Sequence, residues 1–243
     1  MNLSPLEVFL LVSSAFAAST MAAVTGTGGG ILFLPVLIAL IGVRDAVPAY
    51  TLAQFVGNLS RVVLNRKELR LDVVAWFAAG AVPAAVLGSM LFSRSQETFL
   101  VRALGLFLLA SVVWRRLSPQ PKVSFPVHRF AGIGGVFGVV SAYLGSAGPF
   151  LAPFFLAFGL TRGAYIGTEA LGTAIMHVTK MATYGFSGVF SQRAVIIGLT
   201  ICPVMVAGSY LGKRIIDRIS RRAFVIIIET VLVVFGILFL VRG

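Results

Sequence analysis

Residues 8–43 of this 243-residue chain carry no charged side chain, and the same is true of 73–93, 130–161 and 194–212. A helix needs roughly 20 mostly apolar residues to cross the hydrocarbon of a bilayer, so runs of this length confine the chain to structures that live in lipid. There every backbone N–H and C=O must find a partner within the protein, which leaves helices and closed barrels. Barrel strands would show alternation over segments of about 10 residues, whereas these runs are continuously apolar. Composition agrees: 58% of residues are hydrophobic and 12% charged, against about 25% charged in ordinary soluble domains. The expected fold class is an all-α integral membrane protein.

The formal charge of +12 does not point to nucleic acid, because the cations do not gather on one soluble face. They fall in three short connections: Arg61, Arg66, Lys67 and Arg70; Arg115, Arg116, Lys122 and Arg129; and Lys213, Arg214, Arg218, Arg221 and Arg222. Such clusters mark cytoplasmic loops under the positive-inside bias. A single cysteine, Cys202, excludes an internal disulfide and a cysteine-based zinc site. The opening MNLSPLEVF lacks a positive n-region and carries Glu7, so the first apolar run is expected to be a retained helix.

The chain repeats itself. PAAVLGS at Pro83–Ser89 returns as PVMVAGS at Pro203–Ser209, 120 positions later, and GGGILFLP ending at Pro35 matches SAGPFLAP ending at Pro153, 118 positions later. An offset of 119 between these anchors lays Gln54 on Thr173, Asn58 on His177 and Arg61 on Lys180. Residues 1–117 are expected to form one repeat, 118–128 a proline-rich connection, and 129–243 a second repeat. The apolar segments run over 6–24, 30–43, 46–64, 73–93 and 99–115, then 130–146, 149–161, 163–188, 194–212 and 223–241. Five segments per half is an odd number, so the halves face opposite ways. Counting 130–161 as two crossings, or as a re-entrant hairpin, puts all three basic clusters on the cytoplasmic side and both termini outside.

Four glycines within Gly26–Gly30 lie inside the first uncharged run. Irregular backbone at membrane depth is tolerated only where it is buried in protein or lines a cavity, and inverted-repeat transporters place their ligand where such interrupted helices meet. A break at 25–30 leaves free amides at the start of the next half-helix, and helix N-termini favour anions. The matching stretch at Leu144–Pro149 supplies Ser146 and a proline suited to a first helical turn.

At these residues the chain resembles the TauE/SafE sulfite exporter family. The resemblance runs over essentially the whole length. It rests on G-x-G-G-G at Gly26–Gly30 followed by Pro35, a second copy before Pro153 with Ser146, Ala147 and Pro149 in place of glycines, and the P-x4-G-S helices of both halves. It implies a multi-pass plasma-membrane transporter of a small sulfur-containing anion such as sulfite, thiosulfate or an organosulfonate, with no cofactor.

Charges inside apolar helices cost on the order of 2.5–3.5 kcal/mol each at the helix centre on insertion scales and usually face the protein interior. At about 100° per residue, Glu169, Thr173, His177 and Lys180 share one helical face, as do Gln54, Asn58, Arg61 and Asn65. Two such stripes from opposed halves would line one cavity. An oxyanion accepts hydrogen bonds, so its expected site is a set of donors with limited positive charge. The candidates are Thr25, Thr27, Gly28, Gly29, Gly30, Gln54, Asn58, Arg61, Ser146, Gly148, Thr173, His177 and Lys180. His177, Glu169 and Glu229 are candidates for a coupling proton. Bland readings stand beside these: Arg61 and Lys180 as snorkelling cations, His177 as an interhelical hydrogen-bonder, Glu169 and Glu229 as structural counter-ions, and Gly134 and Gly138 as helix packing. Zincin, P-loop and dinucleotide motifs are absent from the sequence, which argues against an enzyme. A secondary transporter, an exporter by the resemblance, is the expected function, with a passive anion channel or a non-transporting scaffold as alternatives.

Overall fold

A computed structural model of the chain describes residues 4–25, 29–117, 125–160, 162–215 and 221–242. Among them there is no strand, and each of the ten apolar segments becomes one helix. These are α1 (Pro5–Thr25), α2 (Gly29–Ile41), α3 (Val43–Leu64), α4 (Leu71–Arg94), α5 (Glu97–Leu117), α6 (Phe130–Leu144), α7 (Gly148–Ala157), α8 (Arg162–Phe186), α9 (Gln192–Ile215) and α10 (Arg221–Arg242). Among the described residues α1, α4, α5 and α9 each include a stretch long and apolar enough to cross a membrane, and α6 reaches that length together with the 3-10 turn Val127–Arg129 that precedes it. At 1.5 Å per residue, α2 with 13 residues and α7 with 10 are about 20 Å and about 15 Å long, too short to span the roughly 30 Å hydrocarbon layer alone. Each opens beside a glycine motif: α2 is described from Gly29, and α7 opens at Gly148 after a break from α6, which ends at Leu144. At the break between α6 and α7 Gly145 has φ +87°, a left-handed conformation that strains any residue with a Cβ.

The helices do not pack in sequence order. The first helix, α1, lies against α9, and α6 lies against α4; α3 contacts α9 and α8, while α4 contacts α8; and α5 pairs with α10. One apolar cluster draws on α1, α2, α3, α5, α9 and α10 with Phe92 of α4 and Tyr184 of α8, and a second on α4, α6, α7 and α8. The fourth helix of each sequence half therefore packs with the first helix of the other half. In lipid no hydrophobic force separates helix from solvent, so close van der Waals approach carries the association, and small residues permit it. A Cβ on Gly134 would strike the Phe77 carbonyl of α4, and one on Gly138 would lie 2.6 Å from the Ala81 carbonyl. These two glycines are packing positions, as their spacing suggests. The glycines of the two P-x4-G-S copies do the same work at two different helix pairs: Gly88 faces the Val139 carbonyl of α6 and Gly208 the Phe16 carbonyl of α1. Beside Gly208, Ser19 donates to the Met205 carbonyl and its oxygen is 3.0 Å from that of Ser209.

Contacts between loops sort the ends of the helices. The Lys213 amine donates to the Leu64 carbonyl, so the first and third basic clusters share one end. His128, at the edge of the second, packs edge-on to Trp76 in the first turns of α4 with ring centroids 6.3 Å apart, which brings it to the same end. There Arg70 makes a two-pronged contact with Asp72 at 2.9 and 2.6 Å, and its backbone N–H donates to Thr168 at 3.0 Å. At the opposite end Ser191 donates to Asp45 at 2.6 Å, Arg193 lies 3.7 Å from the same carboxylate, and Arg44 caps α4 through the carbonyls of Phe92, Ser93 and Ser95.

Candidate functional site

The first turn of α2 and the turn between α6 and α7 line one buried cavity. Its wall takes Gly30 from the first turn of α2 and Ser146, Ala147 and Gly148 from the turn that opens α7. The stripe of α3 adds Tyr50, Gln54, Asn58 and Arg61, and the stripe of α8 adds Glu169, Thr173 and His177. Phe137, Leu151 and Met176 form an apolar side, with Ala22, Ser141 and Gly145 completing the wall. The space open to water-sized molecules is about 50 Å³, room for a few waters or one small anion.

The two stripes are joined by hydrogen bonds. Asn58 accepts from Arg61 through Oδ1 and donates through Nδ2 to Thr173 Oγ1 at 3.0 Å; Thr173 in turn donates to the Glu169 carbonyl at 2.9 Å. Arg61 Nη1 lies 3.9 Å from Glu169 Oε2, an ion pair between two side chains that are 6% and 5% exposed. Neither residue reaches the surface, so Arg61 does not snorkel. Glu169 Oε2 and His177 Nδ1 are buried and have no hydrogen-bond partner among the described residues. Unsatisfied polar atoms at a cavity wall, where burial makes them costly, are the atoms a ligand would be expected to engage. The Tyr50 hydroxyl lies within reach of the Ser146 and Gln54 side chains, which ties the α7 break to α3.

Lys180 occupies the same helical face but turns away from the cavity. It is fully buried, and its amine donates to the Ser141 carbonyl at 2.9 Å and the Gly145 carbonyl at 3.0 Å, with Ser141 Oγ at 3.5 Å. Tyr184, one turn further along α8, donates to the Ala142 carbonyl. The last carbonyls of a helix have no partner within it and carry partial negative charge. Lys180 and Tyr184 satisfy those of α6 and fix the geometry of the break. Gly29 also faces away: an added Cβ there would strike the Ala18 carbonyl of α1, whereas on Gly30 it would strike the Tyr50 hydroxyl and lie 3.0 Å from Gln54 Nε2. Glu229, on α10, is not part of the cavity wall. Thr27 and Gly28 lie outside the described residues, and of Thr25 only the backbone is described. Among the described residues no three His, Cys, Asp or Glu side chains gather as a metal ion would need.

Tyr50, Ser141, Phe137, Leu151 and Met176 are wall residues that sequence reasoning did not single out. A signal existed for two of them. Tyr50 lies one turn before Gln54 on the same stripe, and the offset of 119 carries it onto Glu169. The same offset carries Ala22 onto Ser141. The apolar side had no such mark, because Phe137, Leu151 and Met176 read as ordinary members of apolar helices.

A polytopic helical membrane protein with two short helices opening on a small polar chamber has the architecture of a transporter. Residues 11–239 match the family described as sulfite exporter TauE/SafE. The chain belongs to that family, which implies membrane transport of sulfite or a related sulfur anion. Comparison with curated proteins and with solved structures found no match.

Proposed function

We propose that this protein is a secondary transporter that exports a small sulfur-containing anion, sulfite or an organosulfonate, across the plasma membrane, and that the cavity between α2, α3, α7 and α8 is its binding site. One observation carries the reading: the first turns of two half-helices, at Gly30 and at Ser146–Gly148, open on the same chamber as the Asn58–Arg61 and Thr173–His177 stripes. The wall carries several donors. Amide N–H groups at the α2 and α7 ends, the amides of Gln54 and Asn58, the hydroxyls of Ser146 and Tyr50 and the Arg61 guanidinium all suit the oxygens of a sulfite or sulfonate. Most of these donors are neutral, which allows release as well as capture.

The organisation we propose is two inverted five-helix repeats, 1–117 and 129–243, with both termini outside and the basic end in the cytoplasm. Its support is the reciprocal packing of α1 with α9 and of α6 with α4, together with a cavity wall built of matched positions from each half. Inverted repeats of this kind allow the site to open alternately to either side.

The experiment is a panel of anions tested for thermal stabilisation of the purified protein. A bound anion at 100 times its Kd adds about 2.7 kcal/mol. Stabilisation by sulfite, thiosulfate, isethionate, sulfoacetate or taurine, with none from acetate, is the expected result. No stabilisation by any sulfur anion would remove the site reading and favour a scaffold. Saturable flux in proteoliposomes separates a carrier from a passive channel.

A further inference from the structure

We propose that Glu169 takes up one proton each time an anion enters the cavity, so that anion and proton cross together and transport of a monoanion is electroneutral. The inference rests on the anion site proposed above and deepens it by naming the coupled ion and its carrier.

Among the described residues Glu169 is the one acidic side chain on the cavity wall. The residue is 4% exposed, and Oε2 has no hydrogen bond among the described residues. A carboxylate in such a place is stabilised by opposite charge or else neutralised. Its near cation is Arg61, held 3.9 Å away, beyond the roughly 2.7–2.9 Å of a charge-assisted hydrogen bond, because the guanidinium is bonded to Asn58 Oδ1. An anion that enters beside Asn58 must share that guanidinium with Glu169. Two like charges at one cation in a water-poor chamber disfavour each other, and the group that can change its charge is the carboxyl. Protonation removes the repulsion and converts Oε2 from an acceptor into a donor to the anion.

The step balances simply. A proton from water on the entry side forms an O–H bond on Glu169, no bond in the anion changes, and the proton leaves with the anion on the other side. The remaining groups that face Glu169 do not replace it. From α3 come Arg61 and the Tyr50 hydroxyl. On α8 itself, His177 stands two turns away, and the Lys180 amine is held by the Ser141 and Gly145 carbonyls. The spans 73–93 of α4, 130–144 of α6 and 148–157 of α7 carry no charged side chain. Net movement then follows the combined anion and proton gradients: a high internal anion concentration drives export, and an acidic exterior opposes it.

The test uses methanesulfonate, a monoanion whose own charge is constant between pH 5 and pH 8.5. Binding to the full-length protein is measured by calorimetry across that range in two buffers of different ionisation enthalpy. The expected result is uptake of one proton per anion and a Kd that weakens about tenfold per pH unit once the free carboxyl is ionised. Glu169→Gln should bind with a pH-independent Kd and take up no proton, and His177→Gln should keep the wild-type slope. Binding with a flat pH profile in the wild type would overturn the proposal while leaving the anion site intact. So would a slope retained in Glu169→Gln or lost in His177→Gln. The wild-type and His177→Gln measurements decide the matter even if Glu169→Gln fails to fold. Absence of binding by methanesulfonate and by sulfite at every pH would instead remove the anion site itself, and the coupling with it.

Discussion

Adjacent glycines at the start of α2 have opposite surroundings, and the difference can be measured. Gly29 is pressed against the Ala18 carbonyl, a backbone atom that cannot move alone, while the neighbours of Gly30 are the movable ends of Tyr50 and Gln54. Gly29→Ala should lower stability by about 1–3 kcal/mol, the usual range for overpacking, seen as an earlier thermal transition. Gly30→Ala should leave the transition nearly unchanged and push Tyr50 and Gln54 into the chamber, weakening anion binding several-fold in a titration. Asn58 links Arg61 to Thr173. A hydrogen bond to a charged group contributes about 1.5–3 kcal/mol, so Asn58→Ala should weaken anion binding by about tenfold or more in the same assay. Unchanged affinity in both Gly30→Ala and Asn58→Ala would place the anion elsewhere.

At the scale of the element, the break between α6 and α7 is held from α8. Lys180 and Tyr184 take the terminal carbonyls of α6, and Gly145 makes the turn at positive φ, with Leu34 Cδ2 2.7 Å from where a Cβ would stand. Gly145→Ala combines left-handed strain of about 1–2 kcal/mol with that clash and should destabilise the protein measurably on heating. Lys180→Met leaves two buried carbonyls unpaired in the Ser141–Gly145 stretch. It should weaken anion binding even though the amine does not line the cavity, and hydrogen exchange at Ser146–Phe150 should rise. Weakened binding with unchanged exchange there would mean that Lys180 acts by its charge and not by fixing the turn. The helices themselves were legible from the runs between charges: 73–93 became Leu71–Arg94 and 194–212 became Gln192–Ile215. Their ends were less so, since the first residues of each helix lie in the polar connections that the apolar runs exclude.

For the whole molecule, the proposed topology has a direct check. In a chain with Cys202→Ser, single cysteines at Lys67 and at Lys213 should react with a membrane-impermeant maleimide from the cytoplasmic side only, and one at Ser187 from the outside only. Reaction of Lys67 and Lys213 from opposite sides would break both the repeat and the charge argument. The sequence by itself determined that the chain lives in lipid, that it forms ten helical segments, and that Gln54, Asn58 and Arg61 share one face as Glu169, Thr173 and His177 share another. Those are consequences of desolvating backbone and charge, and of helical periodicity, which act locally along the chain. Only the tertiary structure decided that the two faces meet, that Arg61 turns into the chamber while its counterpart Lys180 is consumed by α6, and that Gly30 faces the cavity while Gly29 faces α1. Those outcomes depend on which helix packs beside which, and in lipid that choice is made by the fit of small residues and unpaired carbonyls across helices far apart in sequence, such as Gly134 on Phe77 and Lys180 on Gly145.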